Sequence, residues 1–178
     1  MRSLHVVLLM FTALTSLGQD KAPKQVIIET KFLVIARGGI TVPLGDFSDS
    51  HSFGINFGFS ANFKVADNFY PGISIEDHLL FGKKIPGLDE HFKTFNMLRI
   101  LAAPRITTNA NIAFTPEVGI SLNSYSGDSE TAFTYGIKVD FPVMSKLPLF
   151  AGIFRTKDNT FVSAGLMIFI TPKIIKQE

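Results

Sequence analysis

The run Gly72-Ile73-Ser74-Ile75-Glu76-Asp77-His78 holds the residues of this chain best suited to chemistry. Alternate side chains of an extended strand share a face, so Ser74, Glu76 and His78 could meet as nucleophile, orienting acid and base. That grouping would suit a lipid-modifying acyl transferase or hydrolase, and nothing else in the chain supports it. Asp89-Glu90-His91 offers three ligand-type side chains, but consecutive residues diverge, which favours a solvated loop over a metal site. There is no glycine-rich phosphate loop, no histidine pair at metal spacing and no basic run. The expectation is therefore no catalytic, cofactor-binding or metal residues, no cofactor and no nucleic acid.

The elements that carry these residues are clearer than the chemistry. In Ser52 to Val65, Phe53, Ile55, Phe57, Phe59, Ala61, Phe63 and Val65 alternate with Gly54, Asn56, Gly58, Ser60, Asn62 and Lys64. A period of two is the signature of a strand with two unlike faces. Similar alternation, less strict in places, appears in Phe32 to Leu44, Phe69 to Phe81, Thr94 to Ile106, Ile112 to Leu122, Thr131 to Val143, Leu149 to Thr156 and Phe161 to Ile170. Asp77 is an exception on an apolar face. That makes eight strand candidates and no convincing helix. Tight turns are expected at Ala66-Asp67-Asn68, Thr108 to Asn111 and Ser145 to Pro148. Longer polar loops are expected at Gly45 to Ser50, Gly82 to His91 and Asn123 to Glu130, with a short connection at Lys157 to Thr160. An even-numbered meander of this kind can close on itself.

Of the 178 residues 46% are hydrophobic and 18% charged, with net charge +2 and no cysteine. Arg2 and His5 lead into the apolar run Val6 to Phe11, and Ser16 and Gly18 fit a signal-peptidase site, so residues 1–18 read as a signal peptide and 19–30 as a short leader. The apolar core of that segment is too short to span a bilayer as a helix.

Alternation alone fits a soluble barrel or an inverted one. The polar faces are Gly, Ser, Asn and Thr rather than the Lys and Glu of exposed strands, and small residues suit a crowded lumen. The 18 phenylalanines would overfill a small barrel from within. The strands run about 10–13 residues, slightly longer than the roughly 9–11 that cross a bilayer when tilted. The reading is all-β: a single eight-stranded antiparallel up-and-down transmembrane β-barrel over residues 31–172, with a tail at 173–178. It would be an integral outer-membrane protein with a packed polar lumen and a structural or interaction role, with a narrow pore as a variant of that reading. The alternative is a secreted lipocalin-like barrel holding a small apolar ligand, which requires Phe57 and Ile137 to point inward. The second alternative is the lipid-modifying enzyme.

The lumen-facing charges are expected to be Arg37, Lys64, Glu76, His78, Arg99, Arg105, Glu117, Lys138 and Asp140, with Arg155 a further candidate. In a dry interior the acids must pair with arginines and Lys138. Cations outnumber acids, so any ion path would favour anions.

The run Gly38-Gly39-Ile40-Thr41-Val42-Pro43-Leu44-Gly45-Asp46-Phe47 and the turn Val65-Ala66-Asp67-Asn68-Phe69 resemble small outer-membrane β-barrel proteins of the Bacteroidota, the families grouped as PorT-like and OmpW-like. Ser163 to Ile170 looks like the terminal signal read by the barrel-assembly machinery, although the chain continues to Glu178 and lacks tryptophan for an aromatic girdle. The resemblance implies outer-membrane lipid and the assembly machinery as partners and permits a link to secretion machinery; a monomer is expected.

Overall fold

The computed structural model describes residues 32–108, 112–141 and 148–170. The signal-peptide, leader and tail assignments, and the turns at Thr108 to Asn111 and Ser145 to Pro148 for the most part, lie outside the described residues. Ten β segments follow in order: β1 (Phe32–Leu44), β2 (His51–Phe63), β3 (Phe69–Tyr70), β4 (Gly72–Gly82), β5 (Phe95–Ala102), β6 (Arg105–Thr107), β7 (Ala113–Tyr125), β8 (Asp128–Phe141), β9 (Leu149–Thr156) and β10 (Asn159–Phe169). β3 continues into β4 and β5 into β6, so the ten segments make eight staves. Antiparallel pairing runs β1-β2-β4-β5-β7-β8-β9-β10 and returns to β1, closing an eight-stranded barrel.

The stagger of that ring can be followed residue by residue. Val34 pairs with Ala61, Ala61 with Ile73, Ile73 with Ala102 and Ala102 with Val118. Val118 pairs with Tyr135, Tyr135 with Arg155, Arg155 with Thr160, and Thr160 with Leu44. One circuit thus climbs β1 from position 34 to position 44, a shift of ten. With eight strands about 4.8 Å apart and about 3.3 Å per residue, this sets the strands at about 40° to the barrel axis.

The closed ring sorts the side chains. Outside, Phe53, Phe57, Phe59 and Phe63 on β2 are each more than half exposed, and Ile73, Phe133 and Ile137 also face out. Inside are Arg37, Thr41, Asn56, Glu76, His78, Arg99, Glu117, Lys138 and Asp140, each 7% exposed or less. The interior is not polar throughout, as the sequence reading held. Leu80, Phe95, Met97, Phe154 and Phe161 fill the upper end, where β1 leads into β2, and Ile35, Phe150 and Met167 fill the lower. The rings and thioether shut water out of the ends and leave the charges to a middle layer.

Two connections also differ from expectation. Gly45 to Ser50 is not a plain loop. Its one-turn helix α1 (Phe47–Ser50) packs Phe47 against the upper cluster, with its ring stacked on His51 at 4.4 Å between centroids. Asn123 to Glu130 is not a long loop. β7 runs on to Tyr125 and β8 begins at Asp128, joined by Ser126 and Gly127 with φ of 57° and 96°. Two successive positive φ angles make a primed hairpin turn, whose twist matches that of paired strands.

Two adjacent staves break at neighbouring places, β3/β4 at Pro71 and β5/β6 at Ala103-Pro104. Proline removes a ladder donor. Asn62, 2% exposed, reaches across from β2, and its Nδ2 donates to the carbonyls of Ala103 at 3.0 Å and Tyr70 at 3.4 Å. The Ala103 amide donates to Gly72 at 2.8 Å. Asn62→Ala orphans both carbonyls and is expected to lower unfolding stability by about 1–3 kcal/mol. A denaturant titration of the folded band on a cold gel measures the loss.

Candidate functional site

The middle layer of the lumen contains every charge that sequence reasoning placed inside except Lys64 and the further candidate Arg155. Its side chains come from different strands because alternate residues turn inward and the stagger lifts distant positions to one level. Glu76 and His78 stand on β4, Arg99 on β5, Glu117 on β7 and Lys138 on β8.

The upper half of the layer is a four-membered ion cluster. Lys138 Nζ lies 2.5 Å from Glu117 Oε1 and also bonds Glu76 Oε1. Arg99, fully buried, donates to Glu76 Oε2 at 3.0 Å and Glu117 Oε2 at 3.4 Å. Its Nε reaches Thr134 Oγ1 at 3.3 Å, and the guanidinium lies 3.8 Å from the centre of the Phe154 ring. Two cations meet two carboxylates, so the cluster is internally neutral. Glycine makes the room. A Cβ on Gly58 would come within 2.8 Å of Glu76 Cγ, and one on Gly152 within 2.7 Å of Lys138 Cγ.

His78 extends the cluster upward. Asn56 Nδ2 donates to Thr41 Oγ1 at 2.8 Å, Thr41 Oγ1 lies 2.9 Å from His78 Nδ1, and His78 Nε2 lies 3.5 Å from Glu76 Oε2. With the ring proton on Nε2, facing the carboxylate, the Thr41 hydroxyl donates to Nδ1.

The lower half is a second cluster. Arg37 donates to Ser60 Oγ at 2.9 Å and to Asp140 Oδ2 at 3.4 Å, and Arg105 bonds the same carboxylate oxygen. Two guanidinium groups here share one acid.

Two sequence candidates lie elsewhere. Lys64 follows β2 at the lower rim and pairs with Asp67 at 3.0 Å in the Ala66-Asp67-Asn68 turn. Arg155 points outward, because Phe154 and Thr156 on either side are the buried ones. Lys64 lies past the last residue of β2, where a charge costs less than the strand pattern suggests. Asp77 also points outward.

Ser74, Glu76 and His78 do share the inner face, but not as a nucleophile on a base. Ser74 Oγ donates to Glu76 Oε1 at 3.1 Å, and the contacts of His78 go to Thr41 and Glu76. Glu76 is already held by Lys138 and Arg99. The free space beside them, lined by Arg37, Glu76, His78, Lys138 and Ser163, is about 10 Å³, enough for one water molecule. Asp89-Glu90-His91 does not converge either: Asp89 pairs with Lys84 at 2.7 Å, and among the described residues no group of three His, Asp or Glu is arranged to hold a metal. At the upper rim Lys157 and Glu130 lie 2.8 Å apart. Their hydrogen bond raises the ammonium pKa and lowers the carboxyl pKa.

No protein-family model and no curated protein matches the sequence. Among solved structures, the chain is similar to the Yersinia pestis outer membrane protein Ail in a phospholipid bilayer nanodisc. The TM-score is 0.55 at 14% identity, covering 78% of this chain and 100% of that one. Neisserial surface protein A gives 0.45 at 17% identity, with 78% and 97% covered. OprG from Pseudomonas aeruginosa gives 0.41 at 10%, with 77% and 91% covered. At these identities the likeness to Ail speaks for the fold, an eight-stranded antiparallel barrel.

Removing one member of a buried cluster leaves the others uncompensated. Lys138→Met is expected to destabilise the barrel by about 3–5 kcal/mol. Adding Glu117→Gln should recover part of that loss, and a double-mutant cycle on unfolding stability reads the coupling.

Proposed function

We propose that the chain is an integral outer-membrane β-barrel that works through its surfaces, with its lumen serving as a rigid filled core. The observation that carries this is the inversion of the barrel: aromatic and branched side chains cover the outside while the charged side chains on the inner faces of the strands pair with one another within the lumen. In water that arrangement exposes a belt of phenylalanine and buries ions at a cost; in a bilayer the belt is solvated by acyl chains. The soluble lipocalin-like alternative needs Phe57 and Ile137 inside, and both are exposed. The fold likeness to Ail, an outer membrane protein, agrees with the same location.

The lumen favours a filled core over a pore or an active site. Apolar layers lie above and below the charges, and the ion cluster crosses the bore. On this reading the upper end, with α1, the excursion from Lys83 to Thr94 and the β7–β8 hairpin, faces outward from the cell. The assembly machinery would read β10, whose pairing with β1 closes the ring. The resemblance to PorT-like and OmpW-like proteins extends the reading to a place beside a secretion apparatus.

The protein refolded into vesicles is expected to show heat-modifiable gel mobility, and a thiol at Phe57→Cys should react with a membrane-restricted label. Reaction with an aqueous label alone would reverse the assignment of faces. In planar bilayers the expected outcome is no discrete conductance; reproducible ion-selective steps would replace the filled core with a channel.

A further inference from the structure

Two charges on the outer face are unexplained by the barrel itself. Asp77 is flanked on its own strand by Ile75 and Leu79 and across the ladders by Phe57 and Leu98. Its Oδ1 is buried without a hydrogen-bond partner. A carboxyl on an apolar membrane face is expensive and calls for a partner. Arg155 is the complementary charge. Its Nε donates to the Lys157 carbonyl at 3.3 Å, and the residue is exposed on the outer face.

Their positions match in depth and oppose in direction. β4 is the third stave of the ring and β9 the seventh, so they lie on opposite sides. From Ile73, Asp77 is four residues up the strand, a rise of about 10 Å at a tilt of about 40°. From Ile73, Arg155 is four strands round the ladder through Ala102, Val118 and Tyr135, a rise of about 12 Å at the same tilt. The two groups therefore stand at nearly one level in the membrane. Shape agrees as well. Copies inserted the same way up and set side by side bring β2 of one against β10 of the next. Phe57 and Phe59 make a ridge beside Asp77, each more than half exposed, while Ala151 and Ala164 pair with each other to leave a shallow face beside Arg155.

We propose that this barrel associates side by side with copies of itself, Asp77 of one molecule pairing with Arg155 of the next. The contact is head to tail and joins opposite faces, so it propagates as a row and does not close as a dimer. It replaces the expectation of a monomer and rests on the outer-membrane reading above.

The chain has no cysteine, so introduced thiols report only on themselves. The full chain carrying Asp77→Cys and Arg155→Cys, refolded into vesicles of phosphatidylethanolamine and phosphatidylglycerol, is expected to oxidise to a ladder of dimers, trimers and longer rows. Each single variant should stay monomeric. A second pair, Phe57→Cys with Ala164→Cys, keeps both charges and should give the same ladder. Asp77→Asn should lower its yield by about fivefold, the scale of one polar contact within a membrane. The exchange Asp77→Arg with Arg155→Asp should restore it. Absence of a ladder from both pairs, dimers from Asp77→Cys alone at the same yield, or a second ladder indifferent to Asp77→Asn each overturns the proposal. Heat-modifiable mobility separates the two readings: its loss in the unaltered protein removes the membrane barrel, whereas its retention without ladders removes only the association.

Discussion

The ion cluster of Glu76, Glu117, Lys138 and Arg99 is the interaction on which the rest of the barrel turns. It ties β4, β5, β7 and β8 together across the bore with each charge met by an opposite one. Such a group is tolerable in a dry interior only when complete, because the desolvation of each ion must be offset by its neighbours. That condition explains the surrounding composition. Glycine at 58 and 152 opens space for the Glu76 and Lys138 stems, hydroxyls at Thr134 and Ser74 take up remaining hydrogen-bonding capacity, and Phe154 covers the Arg99 guanidinium.

Completeness in the middle also explains the ends. Water admitted from either mouth would screen the cluster and compete for its hydrogen bonds. The Phe95, Phe154, Phe161 and Phe47 layer above and the Ile35, Phe150 and Met167 layer below exclude it. The molecule thus has aromatic residues in two opposite roles. On β2 they meet the surroundings of the barrel, while at the mouths they seal its contents. A core built this way is stiff, which leaves the rims and the outer face as the surfaces available for recognition.

Much of this was legible in the sequence, and the failures have physical causes. The faces of Ser52 to Val65 could be assigned because strand alternation is a local property. The Ser126-Gly127 turn was missed because polar residues in Asn123 to Glu130 look alike whether they belong to a loop or to strands that extend past the apolar band; the Ser-Gly dipeptide was the available signal. Phe47 read as a loop residue because its burial depends on α1 folding back over the mouth. Arg155 was allowed inside because β9 has apolar residues on both faces, leaving the charge as the deciding mark, whereas the burial of Phe154 and Thr156 is what sets it outward. Lys64 continued the β2 alternation on paper although the strand ends at Phe63. The Asn62 bridge was invisible, since it depends on two breaks in neighbouring staves.

The order of residues alone determined that eight segments would be extended, that each would have one apolar and one polar face, and that the crowded phenylalanines could not share a small lumen. These follow from a period of two and from side-chain volume, both independent of long-range contact. Which charges would meet was decided only by closure. A ten-residue stagger brings Glu76 level with Lys138, 62 residues away, and sets Asp77 and Arg155 at one depth on opposite sides. Neither juxtaposition exists until the first strand pairs with the last.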